Sequence, residues 1–173
     1  MNPFQRSYFS KMLRQQPEQR ASAAVPKLSE CGTVCLLCQY GPEPEMLREW
    51  EEMKQFHNEF QVVLFYEGKP YQGLIFNKLN VFPFAASSFS FFGRVPAELL
   101  HKLQSTRYSL LVNTIGRMDD RMAMLHRWIS AGFKVGRDPA YGYLNDLTLM
   151  LGEEAGTQEY LRHVKEYMGQ LNG

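Results

Sequence analysis

Along this chain, short runs that are apolar throughout alternate with longer stretches in which apolar residues recur every third or fourth position. Thr33 to Cys38 (TVCLLC), Gln61 to Tyr66 (QVVLFY), Tyr108 to Val112 and Phe133 to Val135 are the short runs. A strand without a polar face is one covered on both sides, which points to a parallel sheet between layers of helix. After the first run, Gly41-Pro42-Glu43-Pro44 turns the chain into a helical stripe of Met46, Trp50, Met53, Phe56 and Phe60. Arg107 to Arg137 repeats the rhythm. There the crossover helix begins near Asp119 and buries Met118, Met122, Leu125 and Ile129, with Asp120, Arg121 and Arg127 outside. Pro96 suits the first turn of a helix carrying Leu99, Leu100 and Leu103. Asp146 to Met150 reads as a further strand, and Tyr160, Leu161, Val164, Met168 and Leu171 as a closing helix.

These elements predict an α/β fold: a three-layer Rossmann-like open, mainly parallel sheet of about five strands with helices on both faces. Phe4, Tyr8 and Met12, with Phe9 and Leu13, give the N-terminus a short amphipathic helix whose basic residues are Arg6, Lys11 and Arg14. A polar linker broken by Pro17 and Pro26 follows, so residues 1–28 read as helix and linker and 29–173 as a single Rossmann-like domain. Between Lys69 and Arg94 the regular rhythm stops. That segment is rich in aromatics, Phe82, Phe84, Phe89, Phe91 and Phe92 among them. Core packing is favoured for them over a base-stacking surface, because no RRM-type or cold-shock signature is present, and a short strand is expected at Gly73 to Phe76.

Composition narrows the partners. A chain of 173 residues with 45% hydrophobic and 21% charged residues suits one compact core. The net charge of +1 supplies no field that would steer the whole molecule onto DNA. Cys31, Cys35 and Cys38 are too few and too clustered for a disulfide framework. Strand alternation sends Cys35 and Cys38 to opposite faces, so they are expected to be core thiols that share no metal. No stretch approaches the roughly 20 apolar residues of a membrane span. Arg6, Lys11 and Arg14 interrupt the N-terminus where a secretory signal would be apolar, so a cytoplasmic protein is expected.

In sheets of this kind ligands bind beyond the carboxyl ends of the strands, where the winding reverses. Gln39, Asn113, Thr114, Arg117, Gly136 and Arg137 occupy those ends. Glycine-rich phosphate loops are absent, and Asp119 and Asp120 at a helix start oppose an anion unless Arg117, Lys134 and Arg137 outweigh them. Gln39 and Asn113 stand where a receiver-type phosphoacceptor site needs acids. His57, His101, His126 and His163 fall on separate helices, where solvated faces are expected, and form no metal-binding pair. No GxSxG elbow occurs. Neither a metal nor a cofactor is expected, and no catalytic residue stands out.

The segments FSFFGRVP, SLLVNTIG and SAGFKVGR, followed by DLTLM, resemble an uncharacterised family of short bacterial α/β proteins, a domain of unknown function. The resemblance runs from about Gly32 to the C-terminus and brings no assigned activity. It places an Asp where this chain has Asn113. More remotely, the order of strand, helix and basic residue plus Gly is similar to the N-terminal half of heptosyltransferase-type glycosyltransferases, which implies the fold rather than a complete transferase.

Three functions are compatible with these features. The leading expectation is a non-enzymatic interaction domain with a protein partner, working through Phe89, Phe91, Phe92, Arg6, Lys11 and Arg14. The second is an enzyme or binding protein with a small-molecule site built from the strand-end residues. The third is attachment to a membrane surface or RNA through Arg6, Lys11, Arg14 and Arg20.

Overall fold

The computed structural model describes residues 1–15, 24–41, 60–68, 80–152 and 155–170. The helix expected over Met46 to Phe60, except its last residue, the strand at Gly73 to Phe76 and most of the linker lie outside the described residues, as does His57. Among the described residues six strands form one sheet: β1 (Val34–Gln39), β2 (Phe60–Tyr66), β3 (Val81–Ala85), β4 (Arg107–Asn113), β5 (Ser130–Gly136) and β6 (Leu147–Thr148). Their order is β3-β2-β1-β4-β5-β6, and every pairing is parallel. The sheet thus winds outward in both directions from β1 and β4, whose register sets Val34 beside Leu110.

One strand more is present than the pattern predicts, and it is β3. Its sequence, VFPFA, carries a proline that cannot donate to a ladder. The strand is accommodated at the sheet edge, with Pro83 exposed and Phe84 fully buried. An edge position tolerates what a central strand would not, which is why aliphatic periodicity missed it.

Among the described residues four helices cover the sheet: α1 (Pro3–Arg14), α2 (Ala97–Gln104), α3 (Asp120–Trp128) and α4 (Thr157–Gln170). Alternate residues of the central strands divide between two cores. Cys35, Leu37, Val63, Phe65 and Leu111 meet Phe9 and Leu13 of α1, Leu103 of α2 and Met122 and Leu125 of α3. On the other face Leu36, Cys38, Val62, Leu64, Leu110 and Val112 meet Tyr160, Leu161, Val164 and Met168 of α4. Full burial of each such aliphatic side chain contributes about 1.5–3 kcal/mol. Cys35 and Cys38 do fall on opposite faces, and burial pushes the Cys35 thiol well above its ordinary pKa.

The first helix is seated firmly. Asn2 and Gln5 form a reciprocal capping box at its start, with Pro3 opening the first turn. At its end the Arg127 guanidinium donates to the carbonyls of Met12 and Leu13, at 2.6 and 3.4 Å. Arg127 is therefore a clasp between α3 and α1 rather than a solvated charge. Arg121 likewise folds back: burial opposes its charge, but Asp119 and Glu67 hold its pKa above the usual value.

Tyr160 is fully buried under the sheet, and its hydroxyl finds no hydrogen-bond partner among the described residues. Tyr160→Phe is accordingly expected to leave stability unchanged or raise it, because an unpaired buried hydroxyl is costly to retain. Leu110→Ala, at the sheet centre, is expected to cost roughly 2–5 kcal/mol. Urea denaturation of the two variants checks both signs.

Candidate functional site

The ends of β4 and β5 are where the sequence places its chemistry, and the structure divides those residues into two groups. Asn113 is fully buried and serves the fold. Its Oδ1 accepts from the Ile115 amide at 3.0 Å, which fixes the side-chain orientation. Its Nδ2 then faces Met118 Sδ and His126 Nδ1, each at 3.0 Å. With Nδ1 as acceptor, the ring proton of His126 sits on Nε2 and faces the Leu144 carbonyl at 3.4 Å. His126 is fully buried, contrary to the solvated face expected for it, because Asn113 and Leu144 satisfy both ring nitrogens. Thr114 is also buried, its amide and hydroxyl both donating to the Leu37 carbonyl. Gly136 lies against the Asn145 side chain, which occupies the space a Cβ would need. Gln39 is exposed at the end of β1, and its loop is described only as far as Gly41.

Arg117 and Arg137 form the second group. Both line a crevice of about 590 Å³ together with Gly116, Asp138, Pro139, Met150, Leu151 and Ala155. It lies over β4, β5 and the segment after β6, displaced from the β1–β4 reversal where the strand order alone would set it. At the reversal itself Thr114 ties the β4 end to β1, and the loop that follows β1 is described only as far as Gly41. Asp138 Oδ2 accepts from the Met118 amide at 2.7 Å and Oδ1 from Ala140 at 2.9 Å, which locks the two crevice loops together. The Arg137 guanidinium donates to the Ala155 carbonyl and lies over the Tyr160 ring, 5.5 Å from its centroid. Lys134 takes no part. It is buried, and its Nζ donates to the His126 and Arg127 carbonyls at the end of α3.

A second candidate surface lies on α1. Phe89, expected to be available for contacts, is buried instead, its ring stacked on Trp128 and edge-on to Phe9. Phe91 and Phe92 behave oppositely, at 57% and 61% exposure, and Phe4 of α1 joins them at 58%. The three rings contact one another at centroid distances of 5.4 to 6.2 Å. A tight loop holds them: the Ser90 amide donates to the Arg94 carbonyl, and Gln5 Nε2 and Asn2 Nδ2 donate to the Ser90 and Phe91 carbonyls. Gly93 makes the turn possible. Its φ is +82°, and a Cβ there would fall 2.7 Å from Tyr8 and 3.1 Å from Phe9. Arg6, Lys11 and Arg14 are exposed beside this cluster and line an open groove of about 960 Å³ with Met1, Pro3, Ser7, Ser10 and Gln15. Phe4 was not singled out from the sequence because at helical spacing it reads as part of the buried stripe. The strand expected at Asp146 to Met150 is only Leu147–Thr148, which leaves Met150 beyond it at the crevice, 69% exposed.

Among the described residues no group of three or more His, Cys, Asp or Glu could hold a metal, and no helix is long and apolar enough to cross a membrane. Residues 3–171 match the Family of unknown function (DUF6913). The chain belongs to this family. No curated protein matches it. Solved structures give the fold a wider setting: the heptosyltransferase WaaC of E. coli with ADP is similar at 14% identity and a TM-score of 0.56, over 82% of this chain and 47% of that one. The same enzyme with ADP-2-deoxy-2-fluoro heptose gives 13%, a TM-score of 0.57, and 80% and 48% coverage. A family 9 glycosyl transferase from Veillonella parvula gives 12%, a TM-score of 0.54, and 86% and 43% coverage. This member of the DUF6913 family spans about half the length of those transferases and shares their fold over that half.

In this family member Asn113 does the work of a turn-former. Asn113→Leu would strand the Ile115 amide and remove the bond to His126 Nδ1, so a loss of about 2–4 kcal/mol is expected. Chemical denaturation measures it, and a stability equal to that of the native chain would contradict the bonding described.

Proposed function

We propose that this chain is an interaction domain that docks an acidic protein segment bearing an apolar anchor on the surface formed by Phe4, Phe91 and Phe92 and the basic side of α1. The observation that carries the reading is the exposure of three mutually touching phenylalanines, Phe4 on α1 and Phe91 and Phe92 on a loop that Asn2 and Gln5 hold by hydrogen bonds. A rigid apolar cluster left in water is the usual mark of a contact site, and aromatic anchors dominate contact energies. Arg6, Lys11 and Arg14 set the sign of the partner, and residues 1–15 contain no acid to offset them.

A membrane surface fits less well. An interfacial helix needs its apolar face free, whereas Phe9 and Leu13 are spent on the core against α3. The likeness to glycosyltransferases favours an enzymatic reading as the alternative. Against it, Asp138 is the only carboxylate lining the crevice among the described residues, and both of its oxygens accept backbone amides.

The test is affinity capture from host lysate, wild type beside Phe91→Ser/Phe92→Ser. Both rings are exposed, so the double variant is expected to melt within about 0.5 kcal/mol of the native stability. A partner held by the wild type, lost by the variant and released as salt rises is the expected result. Equal recovery by both would end the proposal, and wild-type binding to anionic vesicles that the variant loses would move this surface to membrane attachment.

A further inference from the structure

We infer that the docked segment is itself an α-helix laid antiparallel along α1. An acidic side chain sits between Ser7, Ser10, Lys11 and Arg14, and the apolar anchor follows about two turns later, against Phe4, Phe91 and Phe92. This rests on the docking reading above and specifies the partner that reading calls for.

The outward face of α1 has the spacing of a helix-packing surface. Phe4, Ser7, Lys11 and Arg14 recur at intervals of three, four and three, so they fall in one line along the helix, and all four are exposed. The inward face is already used by Phe9 and Leu13. Ser7, Ser10, Lys11 and Arg14 stand at i, i+3, i+4 and i+7, the four corners of the hole into which a facing helix inserts one side chain. Two corners are short hydroxyls and two are long cations, which leaves a hollow that these four residues line.

The corners decide what enters. A carboxylate accepts from hydroxyl and ammonium or guanidinium donors alike, whereas a basic side chain would be repelled. Residues 1–15 contain no acid, and neither Lys11 nor Arg14 makes an ion pair among the described residues. The hollow is centred six to seven residues beyond Phe4, roughly 10 Å along the axis. A helix spans that in about two turns and keeps both determinants on one face. An extended segment would gain no ladder here, because the backbone groups of α1 are bonded within the helix.

Direction follows from the dipoles. Lys11 and Arg14 lie in the last turn of α1. Antiparallel placement sets the partner's acid in its own first turns, where the positive helix end favours it, and a parallel one would set it at the opposed end.

The experiment is a fluorescence-anisotropy titration of the protein with synthetic helix-forming peptides, with circular dichroism recorded on mixing. The first peptide carries glutamates in its opening turns and a tryptophan about two turns on. The second reverses that order at equal composition, and the third keeps the order but has proline at its centre, which breaks the helix. The first is expected to bind saturably, to gain helicity, and to bind about tenfold or more above the affinity of the others. Ser7→Leu, at an exposed position, fills the hollow without changing charge, and is expected to weaken that binding by a similar factor while melting normally. Failure of the wild type to bind the first peptide, equal binding of the reversed or proline peptide, or an unchanged affinity in Ser7→Leu would overturn the antiparallel helix. The docking reading falls separately, if Phe91→Ser/Phe92→Ser binds the peptides as the wild type does.

Discussion

Everything in this molecule depends on β1 and β4 pairing as neighbours in the middle of a sheet that is covered on both faces. Val34 sits beside Leu110 and Leu36 beside Val112, and each of these side chains is essentially inaccessible to water. Their neighbours in sequence, Cys35 and Leu111, supply the opposite core. Because side chains alternate strictly along a strand, slipping this pairing by one residue would exchange the contents of the two cores, which differ in shape. One is lined by three helices, the other by α4 among the described residues. The register thus also fixes which loop stands above which face, and so where Arg117 and Arg137 emerge.

The strands and the flanking helices were legible from residues alone for the same reason. A run such as CLLC or SLLV, short and bounded by turn residues, suits a strand buried on both sides. The helix start at Asp119 was equally plain, since a carboxylate immediately before an apolar stripe is a capping signal. What escaped was β3, whose Val81–Ala85 run is held at an edge by Phe84 packing under Phe89 rather than by an aliphatic pattern. Edge strands are specified by tertiary contacts more than by their own sequence, and Pro83 disguises this one further.

The site was less legible, because position on a strand end does not say whether a polar side chain looks outward or is consumed by its own loop. Asn113 and Thr114 have the residue types a ligand would want, and the turn uses both. Arg117 and Arg137 reach the crevice since their length carries them past those turn bonds. Aromatic residues in the FSFFGR segment pose the same ambiguity. Phe89 and Phe91 are two positions apart, yet one is a core residue and the other a surface one. The difference is set by Gly93, whose left-handed backbone folds the loop back and turns its tip into water.

That glycine also explains why the exposed rings are not simply an unburied remnant of the core. An apolar loop free to move would collapse onto the nearest greasy surface, and here the half-buried Tyr8 ring, directly against Gly93, provides one within reach. The loop instead spends hydrogen bonds from Asn2, Gln5 and Ser90 to hold Phe91 and Phe92 outward, and the Ser90 hydroxyl accepts from the Arg94 amide at 3.1 Å to close it. Holding apolar surface away from available cover costs free energy that nothing within the fold returns. The docking proposed above accounts for that cost, with α1, anchored by Phe9 and Leu13 on one side and by the Arg127 clasp at its end, as the platform that carries Phe4 and braces the loop of Phe91 and Phe92.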